Sequence, residues 1–259
     1  MNQRTGHIWA LLASVIFLLG ATQKSAADDK WLEFSDSSIS VLTGTDFALP
    51  GDNVSTLTLE HASGWKWGDL FLFFDATDYH SNARSGGSWY GEFSPRFSLS
   101  KLAGLKLPKG GLVKDILIST TFERGKNGVE ALLLGGAVDL NISGFQFFKI
   151  NAYARKDTSL GAGFDDMQWT VSWAYPVTVK NEKFHLSGFV DYVVGWGPKE
   201  TLVHAVTQVK WDIGHKMGLA RKIYLGAEID IWDNQFGVKN TPTLDTNQLA
   251  ISALLKVHF

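Results

Sequence analysis

The chain of 259 residues contains no cysteine, which excludes a disulfide scaffold, a thiolate metal site and a lipid anchor on a cysteine side chain. A basic excess is missing too. Against 26 Asp and Glu stand 24 Lys and Arg, a net charge of −2, whereas nucleic-acid binding calls for clustered positive charge. Long apolar runs are equally scarce: beyond the N-terminal region the longest, Ala131 to Val138, is interrupted by Gly135 and Gly136. That is well short of the roughly 20 apolar residues a membrane-crossing helix needs. Any crossing must be made by strands, since a closed barrel also satisfies every backbone group without water. Catalytic patterns are lacking as well. His61, His80, His185, His204, His215 and His258 are scattered, with no pair at metal-ligand spacing, and Gly86-Gly87-Ser88 lacks the closing glycine of a nucleophile elbow. No enzyme activity, metal or cofactor is expected.

What is present begins with an export signal. Arg4 precedes an apolar run from Ile8 to Gly20, 13 residues long, and Ser25-Ala26-Ala27 precede Asp28 and Asp29. The run is too short to span and ends at a small-residue cleavage site, so residues 1–27 read as a signal peptide and 28–259 as one exported domain. Losing Arg4 and Lys24 with the leader takes the net charge from −2 to −4. The composition holds 26 Gly, 17 Phe and 10 Trp but only 6 Pro, which suits a membrane barrel better than a soluble sandwich.

The decisive pattern is strict alternation over about ten residues, longer than an ordinary strand and matched to a tilted membrane-spanning one. From Asp166 to Val177, Met167, Trp169, Val171, Trp173, Tyr175 and Val177 share one face, opposite Gln168, Thr170 and Ser172. The same two-faced reading covers Ile223 to Asn234, Gln248 to Phe259, Trp89 to Lys101, Gln146 to Lys156 and Leu202 to Ile213. Weaker stretches at Ser38–Phe47, Val54–Ala62, Gly68–Thr77, Val113–Glu123, Val129–Leu140 and Phe184–Val194 complete the set. The expectation is an all-β, antiparallel transmembrane barrel of about 12 strands joined by short turns. Aromatic girdles follow, with Trp65, Trp67, Tyr175, Trp211 and Phe259 at the periplasmic rim and Tyr79, Trp89, Trp169 and Trp196 at the outer rim.

The polar faces then converge on a lumen. By register Asp75, Glu92, Arg96, Glu123, Arg155, Asp191, His204, Glu228 and Asp230 point inward, most of them in the middle or outer half. Such groups serve either as ion-paired struts across a narrow barrel or as hydrogen-bonding groups of a selective pore. Phe73, Tyr90, Tyr153, Phe189 and Trp232 fall on the same faces. Their rings either narrow the bore or stack on flat solutes such as nucleobases.

The stretch Gly91-Glu92-Phe93-Ser94-Pro95-Arg96-Phe97-Ser98-Leu99-Ser100-Lys101-Leu102 resembles the Glu-x-x-Pro-Arg-Phe-Ser segment of the Tsx-like nucleoside-specific channels and the related OmpK-type phage receptors. Leu57-Thr58-Leu59-Glu60 ahead of Trp67-Gly68-Asp69, Gly135 to Leu140, Asn151-Ala152-Tyr153-Ala154, Tyr175-Pro176-Val177 and the terminal Phe259 support it. The resemblance implies a narrow, monomeric outer-membrane barrel without cofactors that conducts nucleosides and deoxynucleosides. It also implies loops used by phages or colicins, and a C-terminal aromatic, here Phe259, read by the barrel-insertion machinery. Glu92 and Arg96 match the family motif, while Phe47 and His204 are similar to positions on its first and tenth strands. The expected function is passive uptake of nucleosides or similar small polar solutes. An unselective narrow porin, and a structural barrel whose loops serve as a phage or colicin receptor, are the alternatives.

Overall fold

The computed structural model describes residues 31–259 apart from 50, 52, 81–84, 159–162 and 196; the expected leader and Trp196 lie outside the described residues. The described chain forms twelve strands: β1 (Leu32–Thr45), β2 (Val54–Trp65), β3 (Gly68–His80), β4 (Ser85–Ser98), β5 (Val113–Gly125) and β6 (Glu130–Leu140), then β7 (Phe147–Asp157), β8 (Asp166–Val179), β9 (Glu182–Val194), β10 (Leu202–Asp212), β11 (Ile223–Asp233) and β12 (Gln248–His258). Each pairs antiparallel with its sequence neighbours, and β1 pairs with β12 to close the ring. The shortest strands have 11 residues. At about 3.4 Å per residue and a tilt near 40° they rise roughly 28 Å, enough to cross the ~25 Å apolar band of an outer-membrane barrel.

Polarity runs inside out. Large apolar side chains stand exposed around the circumference, among them Leu249 at 61%, Ile251 at 55% and Phe93 at 46%. Charged side chains are buried instead, with Arg96 and Lys256 each only 4% exposed. A soluble fold would carry that apolar surface at a prohibitive cost in water, so the surrounding medium must itself be apolar.

The two ends of the barrel differ in their tightest turns. At one end Lys66 and Trp67 alone join β2 to β3, and Lys180 and Asn181 alone join β8 to β9, whereas 195–201 and 234–247 connect strands at the other. The end with these two-residue turns, where β1 starts and β12 stops, is assigned to the periplasm. Gly68 closes the first of these turns at φ +154°, and a Cβ there would sit 1.8 Å from the Arg96 carbonyl oxygen. Only glycine allows β3 to start so close to β4.

Several boundaries differ from the sequence reading, each for a local reason. β1 begins at Leu32, ahead of Ser38, and ends at Thr45, because Asp46 turns to φ +67°. Phe47 therefore belongs to the outer loop and not to the first strand. β4 stops at Ser98, short of Lys101, where the Ser98 hydroxyl accepts the Lys101 N–H at 3.1 Å and caps a single helical turn, α1 (Leu99–Leu102). The β4–β5 connection, 99–112, is correspondingly no tight hairpin. Trp65 and Trp67 stack at the periplasmic rim with ring centroids 6.1 Å apart, and Trp67 meets Phe97 at 5.3 Å. Tyr79 departs from its expected place in the outer girdle. It shares the face of Phe73 and Asp75, and so points to the mouth of the bore, not to lipid.

Candidate solute pathway

Alternation in β4 turns Tyr90, Glu92, Ser94 and Arg96 into the bore, and Arg96 organises its periplasmic part. The guanidinium donates through Nε and Nη2 to Asp69 on β3 at 2.8 and 2.5 Å, and through Nη1 and Nη2 to Asp139 on β6 at 2.8 and 3.2 Å. A fifth hydrogen bond from Nη1 reaches Asn151 on β7 at 3.4 Å. A guanidinium has five N–H donors, so all of its donor capacity is met by protein groups. Lys149 on β7 reaches back to Asp69 at 3.1 Å, linking strands four places apart. Two Asp, one Arg and one Lys leave this knot neutral. It lies near the periplasmic ends of its strands, so Arg96 falls outside the middle-to-outer zone expected of most inward charges.

Nearer the outer end, Arg155 on β7 grips Glu123 on β5 through two hydrogen bonds of 2.5 and 2.6 Å and donates to Gln168 on β8 at 2.9 Å. Gln168 passes a hydrogen bond to Thr170, and Thr170 donates to Asp191 on β9 at 2.5 Å. Hydrogen bonds thus link β5, β7, β8 and β9, with the apolar Ala131 and Leu133 of β6 between the first two. Glu92 accepts from the Tyr90 hydroxyl at 2.9 Å and lies within electrostatic reach of Glu123 and Asp191. Thr58 donates to Asp75 at 2.6 Å. On the far side Gln208 donates to Glu228 at 2.8 Å, Lys210 donates to Ser187 at 2.6 Å, and Lys256 pairs with Glu60.

Aromatic rings form two groups on the bore wall. On β3 and β4, Phe71, Phe73 and Tyr90 follow one another at centroid distances of 6.0 and 5.8 Å. On β9 to β11, His204 lies flat on Trp232 at 3.7 Å and meets Phe189 edge-on at 5.0 Å, while Trp232 continues to Phe236 at 5.3 Å. Asp230 fixes the His204 ring, with Nε2 and Oδ1 3.2 Å apart. In a closed ring of twelve strands β4 and β10 lie diametrically opposite, so the two groups confront each other across the bore.

Of the residues expected at the site, Phe73, Asp75, Tyr90, Glu92, Arg155, Asp191, His204, Glu228, Asp230 and Trp232 all carry the inward parity of their strands. Phe47 does not join them, since it sits past the end of β1. Tyr153 points inward but is 6% exposed, packed with Ala131 and Leu133, and its hydroxyl lies 2.7 Å from that of Ser119. Its ring belongs to the wall and offers no free face. Phe71 is a site residue that alternation does not single out, because Leu70 to Phe74 is apolar on both faces; its spacing from Phe73 carries the only signal. Phe236 lies in a loop, where no periodicity points to it.

The profile of the family described as nucleoside-specific channel-forming protein, Tsx, matches residues 30–258. The chain belongs to this family. Among solved structures it is similar to the NanC porin, with a TM-score of 0.53 and 10% identity over 85% of this chain and 98% of that one. It is likewise similar to the KdgM porin, with a TM-score of 0.51 and 9% identity over 86% of this chain and 99% of that one. At such identity the likeness speaks for the barrel alone. No curated protein sequence matches the chain. Family, architecture and lipid-facing surface together make this member of the Tsx family a bacterial outer-membrane channel for small solutes.

Proposed function

We propose that the channel admits nucleosides and deoxynucleosides by passive diffusion. One observation carries the reading: two aromatic groups, Phe71–Phe73–Tyr90 and Phe189–His204–Trp232, oppose each other across a bore whose middle is lined by carboxylates. A nucleobase has a π-face that such rings hold at about 1–3 kcal/mol per stack. The sugar offers hydroxyl donors, and Glu92, Asp191, Asp75, Glu228 and Asp230 present acceptor oxygens close to the rings. Each contact is weak, as conduction demands, because a tightly held solute would not leave. In this reading Arg96, Arg155 and Tyr153 act as positioning residues that hold the wall, and solute meets mainly the rings and the acids.

The acid-rich middle also argues against polyanionic cargo. A KdgM porin has been solved in complex with oligogalacturonate, a chain of carboxylates. Such a chain would meet Glu92, Asp191 and Glu228 in the present bore as like charges. We further infer export through the leader at 1–27, a monomeric barrel, and insertion guided by the terminal Phe259.

Single-channel recording in planar bilayers tests the proposal. Nucleosides should block the ionic current at millimolar or lower concentration while hexoses of similar size do not. Tyr90→Ala and Trp232→Ala should each weaken the block by about tenfold, the equivalent of ~1.4 kcal/mol of lost stacking, with the barrel still folded by circular dichroism. Equal block by nucleosides and sugars would favour an unselective porin. Absence of current would favour a barrel whose loops serve phage or colicin attachment.

A further inference from the structure

The outer surface of the barrel is not uniformly apolar. On β12 the outward residues Leu249, Ile251, Ala253, Leu255, Val257 and Phe259 form an unbroken greasy row. Their ten residue steps cover about 34 Å of strand, or roughly 26 Å of height at a 40° tilt, which is the full apolar band of an outer-membrane barrel. The neighbouring strand does not continue the row. Ile39 and Val41 pair with Val257 and Leu255, but Thr43 and Thr45 stand beside Ala253 and Ile251. Toward the periplasm the Ser37 carbonyl takes the Phe259 N–H at 3.0 Å, so a serine neighbours the terminal aromatic.

β2 repeats the interruption. Glu60 points into the bore, where it meets Lys256, so alternation turns Leu59, His61 and Ser63 outward. Leu57 and Leu59 are apolar, but His61 and Ser63 pair directly with Leu72 and Leu70 of β3, which lie at lipid-facing positions. These polar groups on the outward parity are tied to one another, and Ser63 is wholly covered by its neighbours. His61 is bonded at Nδ1 to the Ser37 hydroxyl at 2.8 Å and at Nε2 to the Ser63 hydroxyl at 3.1 Å. Ser63 also accepts the Trp65 indole N–H at 2.9 Å. Nearer the outer end the Ser55 hydroxyl donates to Thr43 at 3.2 Å.

We propose that β1 and β2 face a locally thinned bilayer, whose wet interfacial layer is drawn in against this polar patch from both leaflets. The uninterrupted outward apolar stretch is two residues long on each strand, Ile39 and Val41 or Leu57 and Leu59, and covers less than about 10 Å of height; bilayers adapt to a short apolar stretch by thinning. Lipid suits the patch better than a second protein. Both ring nitrogens of His61 and the Trp65 N–H are already engaged, leaving few polar groups for a matched partner, while a headgroup and water layer needs none.

Cysteine reactivity of the full-length protein in oleoyl-chain phosphatidylcholine vesicles tests this, and the absence of native cysteine makes each introduced thiol the sole reporter. Ser37→Cys and Thr43→Cys report the patch; Ile150→Cys and Ala154→Cys report the outward face of β7, diametrically opposite β1. Because the reactive thiolate forms only where water reaches, positions 37 and 43 should react with a membrane-impermeant maleimide at least about tenfold faster than 150 and 154. Adding His61→Leu and Ser63→Val to the Ser37→Cys variant should slow its labelling toward the β7 rate. Equal rates at all four positions would overturn the proposal, since the patch would then lie in hydrocarbon. Slow labelling at 37 combined with a bismaleimide cross-link between two copies would overturn it too, in favour of a second barrel on this face.

Discussion

Arg96 shows what a single side chain does in this barrel. With five hydrogen bonds to Asp69, Asp139 and Asn151, it neutralises carboxylates from two strands and has no donor left over. Arg96→Met should leave Asp69 and Asp139 with Lys149 as their one remaining counter-charge, at about 3–5 kcal/mol of stability, read as a lower urea midpoint in vesicles. The permeant-solute preference of whatever barrel remains should change little. Glu92 provides the contrast. Among the described residues its one side-chain hydrogen bond is from Tyr90, so Glu92→Gln should cost no more than about 1 kcal/mol of stability, the worth of one such bond, while shifting the nucleoside block. The motif around these two residues is readable in the sequence. Their separate roles are not, because the partners of Arg96 lie 27 to 55 positions away and meet only when the sheet curls.

For the strands, legibility follows contrast between the two faces. β8, β11 and β12 alternate apolar and polar residues cleanly, and their parity is readable from sequence. β3 is harder: Leu70-Phe71-Leu72-Phe73-Phe74 offers rings to both sides, so lipid and lumen faces look alike and Phe71 does not stand out. Strand ends are least legible, since Asp46 and Ser98 stop β1 and β4 through backbone geometry and a cap, not through hydropathy. The inside-out polarity of β6 permits a sharp test. Leu134 faces outward and is exposed, so Leu134→Arg should cost about 2–4 kcal/mol at mid-membrane depth. Arginine at Gly136, whose outward side is open space, should cost a similar amount. Comparable insertion of Leu134→Arg and wild type into vesicles would contradict the lipid-facing assignment.

Taken as a whole molecule, the barrel has a neutral ion-pair knot toward the periplasm and a carboxylate-lined middle. In a steep KCl gradient the reversal potential should show a preference for K⁺ over Cl⁻, and oligogalacturonate should fail to block. Reversal at the chloride side would mean that the acids of the middle are not accessible to ions. The pairing of Ser38 with His258 and of Thr45 with Ile251 joins the first strand described to the last, so nearly the whole domain is enclosed in one loop. Contacts between such distant parts of a chain are the slow ones to make. The ring therefore cannot be sealed until its last segment has been delivered. A chain cut short before Gln248 would be left with two raw hydrogen-bonding edges, a template for clumping with its own kind.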